Sequence, residues 1–249
     1  MLLEQLHMLH SRGMRCPLVS PGQLLFLHKH QPVQIRLHAF DHLLRADHPE
    51  DALHWAQMIR ERYLREECRS WAVDQPMAYL APEVWDNVFE GADTAITPAA
   101  DLFSLGVMMH VLLTGRHPVR SGRNWHDAHA SGKVDVDVKL GFPMRCLLMK
   151  LLAEDPWKRP ADCTEVLEFL QLIDREADRI RTVTVRHNGV PMAGCEVGLY
   201  ALADGQEHLV ATARVGASGR AAFRGCMPRG FTYEVRCGEY RRVCRWQLA

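Results

Sequence analysis

Histidine, cysteine and arginine are the residue types in this chain whose spacing could support chemistry. His28-x-His30 and His126-x-x-His129 place imidazoles close enough to share a metal ion. Neither pair has a cysteine or carboxylate at a helpful spacing, so solvent-facing loop histidines are the preferred reading and no metal site is expected. The eight cysteines, at 16, 68, 146, 163, 195, 226, 237 and 244, form no Cys-x-x-Cys pair, which argues against a zinc ribbon or a redox pair of the thioredoxin type. Cys195, Cys226, Cys237 and Cys244 crowd into the last 55 residues. They suit either a disulfide or metal site, or small buried hydrophobes in a reducing compartment, and the second reading is preferred. Arg241, Arg242 and Arg245 beside Trp246 are candidates for an anion or nucleic-acid patch. Only five lysines occur in the whole chain, so the arginines reflect a general preference, and a solvated or docking face is favoured over nucleic-acid binding.

The elements that position these residues follow from length, charge and periodicity. A chain of 249 residues can bury a sizeable core, and two compact units are expected. Lys+Arg and Asp+Glu are 30 each, which excludes a whole-molecule field drawing the protein onto nucleic acid or anionic lipid. That zero hides two halves: residues 1–180 hold 20 basic and 25 acidic side chains, residues 181–249 hold 10 and 5. Composition also changes there, so a domain boundary is expected near Arg181. No apolar run is long enough to cross a bilayer, and MLLEQLHMLHSRGM lacks the basic start and small-residue cleavage site of an export signal; a cytoplasmic location is expected.

Before Arg181 the pattern is mostly helical. Leu2, Leu3, Leu6 and Leu9 predict a helix stopped by Gly13, and LLFLHKHQPVQIRL predicts a small hairpin turning near His30 to Pro32. Ala52 to Cys68 reads as an amphipathic helix with Leu53, Met58, Ile59, Tyr63 and Leu64 on its apolar face and a solvated face that includes Arg60 and Glu61. Asp101 to Leu113 is apolar nearly all round, as in a central buried helix, between a Thr97-Pro98 start and a Gly115 stop. Helices over Pro143 to Ala153 and Ala161 to Ile173 flank the turn DPWKRP. After Arg181 the period becomes two, with six or seven short strands between turn signals, which predicts a small all-β sandwich.

The stretch Gln75 to Trp85, QPMAYLAPEVW, carries Ala81-Pro82-Glu83. It is followed by Asp101, Leu102, Ser104, Leu105 and Gly106 opening the apolar helix, then Leu113, Thr114, Gly115 and Pro118, then Asp155, Pro156, Arg159 and Pro160. This order resembles the large helical lobe of eukaryotic-type Ser/Thr protein kinases, with Ala81-Pro82-Glu83 as the end of the activation segment. The resemblance implies an ion pair between Glu83 and Arg159, and an Asp101 that holds the backbone of the catalytic loop. Tyr63, Ser70 and Tyr79 then fall in the activation-segment region, where regulation by phosphorylation is disfavoured because no catalytic aspartate is present to organise.

The same resemblance places Gly13 to Phe26 on the catalytic loop, and there the chemistry is missing. Leu18 stands at the base aspartate, Ser20 at the loop lysine and Gln23 at the metal-binding asparagine. Ala39-Phe40-Asp41 replaces Asp-Phe-Gly, so Ala39 offers magnesium no oxygen, and Pro76 replaces the activation-segment threonine. No Gly-x-Gly-x-x-Gly loop occurs, and Met1 falls inside the helix that precedes the catalytic loop, so neither an ATP-binding lobe nor a bound nucleotide or other cofactor is expected. Residues 181–249, through Asn188-Gly-Val-Pro-Met-Ala-Gly-Cys-Glu-Val-Gly-Leu199 and Gly230-Phe-Thr-Tyr-Glu-Val235, are similar to transthyretin-like domains of the carboxypeptidase-regulatory type, which implies a binding or spacer module.

The fold expected is therefore multidomain: a mainly α kinase-like C-terminal lobe over 1–178, then a small all-β sandwich over 181–249. The function expected is a pseudokinase-like scaffold or regulator with a protein partner. Two other readings stay open. One is a kinase fragment whose ATP-binding lobe lies upstream or on another chain; the other is a saccharide- or surface-binding module carried by the sandwich.

Overall fold

The computed structural model describes residues 2–27, 34–38, 43–62, 75–119, 127–128, 134–203, 206–225, 227–228 and 231–244. The chain divides into two compact units, Met1–Asp137 with Leu147–Glu168, and Val138–Cys146 with Phe169–Ala249. The division falls after Glu168, inside a helix and ahead of the compositional change at Arg181, and it assigns Val138–Cys146 to the second unit.

The first unit opens with α1 (Leu2–Ser11), closed by Gly13 at φ +72°, a left-handed conformation that costs glycine little. Short strands β1 (Met14–Arg15) and β4 (Leu44–Arg45) pair antiparallel, and β2 (Leu24–Leu27) pairs with β3 (Gln34–Leu37) as a hairpin whose turn lies outside the described residues. Helix α2 (Pro49–Arg62) follows. Its buried face is Trp55, Ala56 and Ile59, whereas Leu53 is 68% exposed and Met58 36%. This corrects the apolar face expected from the sequence: Trp55 and Ile59, four residues apart, define the stripe and turn Leu53 outward. Arg60, expected in solvent, is half-buried, and its Nε donates to the Val88 carbonyl at 2.6 Å.

The short helix α3 (Pro82–Trp85) runs into a wide π-type turn, Asp86–Glu90, that ends at Gly91. Helix α4 (Pro98–Thr114) starts at Thr97-Pro98 and ends at Gly115, φ +72°, with its residues buried from Ala100 to Met108. Its last turn emerges, leaving Leu112 62% exposed, so burial all round holds only for the first three turns. Gly106 lets α5 (Phe142–Leu151) approach: a Cβ there would sit 2.7 Å from the Leu151 Cβ. A 3-10 turn at Pro156–Lys158, capped by Asp155 accepting from the Trp157 N–H, leads to α6 (Cys163–Glu176).

The second unit is built mainly of antiparallel strands. These are β5 (Ile180–Thr184), β6 (Arg186–His187), β7 (Val190–Pro191), β8 (Glu196–Ala203), β9 (Gln206–Arg214), β10 (Arg220–Arg224), β11 (Thr232–Cys237) and β12 (Tyr240–Cys244). A four-stranded sheet has the order β12-β11-β8-β9, β5 pairs with β10, and β6 with β7. Alternation puts Val197, Leu199 and Ala201 of β8 and Tyr233 and Val235 of β11 into one core with Ala221 and Phe223 of β10. The buried Tyr233 hydroxyl is satisfied by donating to the Pro228 carbonyl at 2.8 Å.

Candidate functional site

Asp101, in the first turn of α4 and fully buried, is the hub of the first unit. Its Oδ2 accepts from the Cys16 backbone N–H at 2.8 Å and lies 2.7 Å from His10 Nε2. The next residue, Pro17, has no N–H to offer, and Asp101 Oδ1 is left without a partner among the described residues. Behind His10, Cys163 Sγ stands 3.6 Å from Nδ1. Cysteine, histidine and aspartate in a line is the order of an activated nucleophile. Here it is inert. The Cys163 side chain is fully buried, and burial followed by the nearby Asp101 carboxylate pushes its thiol up to about 12. Burial first, then Asp101, pushes the Cys16 thiol up as well. His10 and Cys163 carried no signal in the sequence, because they lie 153 residues apart.

The segment aligned with a catalytic loop turns inward. Leu18 is 1% exposed, Val19 is fully buried, and Ser20 and Gln23 are 3% and 5% exposed. Gln23 Oε1, the only atom of that side chain able to bind a metal, accepts the Ser20 backbone N–H at 3.3 Å, and its Nε2 is buried with no partner among the described residues. Pro76 opens a 3-10 turn over Pro76–Tyr79. Tyr79 in that turn is fully buried, which fits the reading that disfavoured it as a phosphorylation site. Ala39, Phe40 and Asp41, His28, His30, His126 and His129, and Tyr63 and Ser70 lie outside the described residues.

Glu83 and Arg159 meet as a bidentate pair, Nη1 to Oε1 at 2.7 Å and Nη2 to Oε2 at 2.9 Å. Arg159 also donates Nε to the Ala153 carbonyl at 2.8 Å, Nη1 to Ala99 at 3.0 Å and Nη2 to Glu154 at 2.9 Å. Its carbon Cζ lies 4.7 Å over the Phe103 ring. Nearby, Ser104 donates its hydroxyl to the Tyr79 carbonyl at 2.7 Å, tying α4 to the 3-10 turn Pro76–Tyr79.

Of the arginine candidates in the second unit, Arg241 and Arg242 lie in β12, paired with β11, and Arg245 and Trp246 lie outside the described residues. Arg236 is engaged: its Cζ stacks 4.4 Å over the Tyr200 ring, and its fork meets Glu207 and Glu234. Among the described residues no group of three His, Cys, Asp or Glu is arranged to hold a metal, and no helix is long and apolar enough to cross a membrane.

A glutamate–arginine pair thus ties Ala81-Pro82-Glu83 to the turn after α5, and an aspartate grips the loop after α1. Part of the chain is similar to kinase-like proteins. Over 118 residues, 45% of this chain and 22% of the relative, it is 30% identical to serine/threonine-protein kinase A of Synechocystis sp.. Over 90 residues, 33% of this chain and 22% of the relative, it is 32% identical to Tribbles homolog 1 of Homo sapiens. The chain thus matches 22% of the length of each of these curated relatives. No protein-family profile matches the chain.

Proposed function

We propose that this protein is a catalytically inactive, pseudokinase-like scaffold or regulator, cytoplasmic and acting through protein–protein contacts, with a β-sandwich module following the kinase-like lobe. The observation that carries this reading is Leu18. At the position aligned with the catalytic base stands a hydrocarbon side chain, 1% exposed, that cannot accept a proton from a substrate hydroxyl. Gln23 spends its carbonyl on its own loop, and Ala39 has no oxygen for magnesium. The fold-holding groups Glu83, Arg159 and Asp101 are kept beside these losses.

A phosphotransfer assay on the full chain with magnesium–ATP and a generic protein substrate tests it. Incorporation is expected to equal that of the Gln23→Ala variant. Transfer that is present in the parent chain and lost in Gln23→Ala overturns the proposal. A second reading, an enzyme fragment completed by an ATP-binding lobe elsewhere, is favoured by the similarity to a chain named as a kinase. It predicts that supplying such a lobe in trans restores transfer, whereas the scaffold reading predicts none.

A further inference from the structure

Two thiols come together in the second unit. Cys195 stands immediately before β8, and Cys237 is the last residue of β11. These strands are antiparallel neighbours with Arg236 opposite Gly198, a register that brings both cysteines to the same end of the sheet. Cys237 is 8% exposed within the apolar core, Cys195 is half-buried against it, and both are free thiols. Continuing that register puts Cys237 opposite Val197, two residues from Cys195, and alternation turns both side chains to the core face of the sheet. The Cys195 backbone is fixed, its N–H donating to Met192 and its carbonyl accepting from Val215 at 2.8 Å.

We propose that Cys195 and Cys237 are a reversible redox-modification site, forming an intramolecular disulfide at the expense of a small-molecule disulfide such as oxidised glutathione. Cys195, the more accessible thiol, loses its proton and attacks one sulfur of the oxidant. The oxidant's S–S bond breaks, a mixed disulfide forms on Cys195, and the departing glutathione thiolate takes up a proton. Cys237 then loses its proton and attacks the Cys195 sulfur, expelling the second glutathione, which is protonated in turn. Two protein thiols are oxidised and one glutathione disulfide is reduced to two thiols. Burial pushes the Cys237 thiol up, which suits it to the second, intramolecular step, where proximity offsets a small thiolate fraction.

The opposite face of the sheet gives the bond a consequence. A groove of about 630 Å³ lies there, lined by Glu196, Gly198, Thr212, Arg236, Gly238 and Glu239 among others. Glu196 follows Cys195 and Gly238 follows Cys237, so a bond on the core side sets the separation of two rims of the groove.

The test uses the full chain, equilibrated in glutathione buffers from fully reduced to fully oxidised, with remaining thiols alkylated and peptides mapped by mass spectrometry. A Cys195–Cys237-linked peptide is expected to accumulate with oxidation and to vanish with dithiothreitol, and the oxidised protein to melt at a higher temperature. Cys237→Ser is expected to retain glutathione on Cys195, and Cys195→Ser to form neither product. Recovery of both cysteines as alkylated thiols at the most oxidising ratio overturns the proposal. So does a link to Cys226 or Cys244 instead, or one that forms only in denaturant.

Discussion

A single guanidinium holds together three stretches of the first unit. Arg159 directs all five N–H donors to Glu83 and the carbonyls of Ala99, Ala153 and Glu154, and rests on Phe103. Lysine cannot reproduce that planar fork. Arg159→Ala strands the buried Glu83 carboxylate and is expected to lower stability by about 3–5 kcal/mol, read from the urea midpoint, with Arg159→Lys recovering only part of it. His117 makes a second prediction. It is buried between the Ala78 and Val119 backbones, and burial lowers its pKa from the ordinary 6.5 to about 4. The folded state holds it neutral, so its contribution is complete above pH 6.5 and is lost as pH falls toward 4, because the unfolded chain binds the proton first. The span corresponds to about 3 kcal/mol, and urea titrations of the parent and His117→Gln across this range are expected to converge at low pH. Leu18→Asp is expected to destabilise by several kcal/mol without creating phosphotransfer, since a carboxylate there enters a closed apolar site; a stable, active Leu18→Asp protein would show that the site is not closed. Glu83, Asp101 and Arg159 were legible in the sequence because the resemblance to a kinase lobe implied a partner for each of them. His10 and Cys163 were not, because nothing local marks a histidine that will meet an aspartate from another helix.

Helix ends were the most legible elements. Thr97-Pro98 and Gly115 bound α4, and Gly13 ends α1, because proline and left-handed glycine act on their own backbone whatever the rest of the chain does. Helix faces were less so. In α2 the sequence offers Leu53 and Met58 as readily as Trp55 and Ile59, and only the packing partner decides; the turn Asp86–Glu90, to which Arg60 bonds, lies across from α2. Gly106 belongs to the same scale. It sits mid-helix, where glycine is unfavourable by about 1 kcal/mol relative to alanine, yet a Cβ would press on Leu151. Gly106→Ala is therefore expected to lose about 1–3 kcal/mol net, seen as a lower urea midpoint, instead of the gain that propensity alone predicts. The strands of the second unit alternate as their sequence does, and the buried residues of β10, Ala221 and Phe223, share one parity.

At the scale of the molecule, two compact units with different periodicities share one chain, and the loop from Leu18 to Gln23 in the first is closed by its own side chains. Magnesium–ATP at millimolar concentration is accordingly expected to leave the melting temperature unmoved, whereas a ligand at a hundred times its dissociation constant would stabilise by about 2.7 kcal/mol. A rise of several degrees would show that a nucleotide site exists. What the sequence by itself determined was the order of elements, their ends, the change from helical to strand period, and that Leu18 and Ala39 bring no side-chain oxygen or nitrogen to their positions. All of these depend on residue type and on neighbours a few positions away. The tertiary structure alone decided which face of α2 is inside, that Leu18 and Gln23 turn inward, that Cys163 reaches His10, and that Cys195 and Cys237 share one end and one face of a sheet. Burial and contact are set by residues far along the chain, and sequence spacing carries no record of which of them will meet.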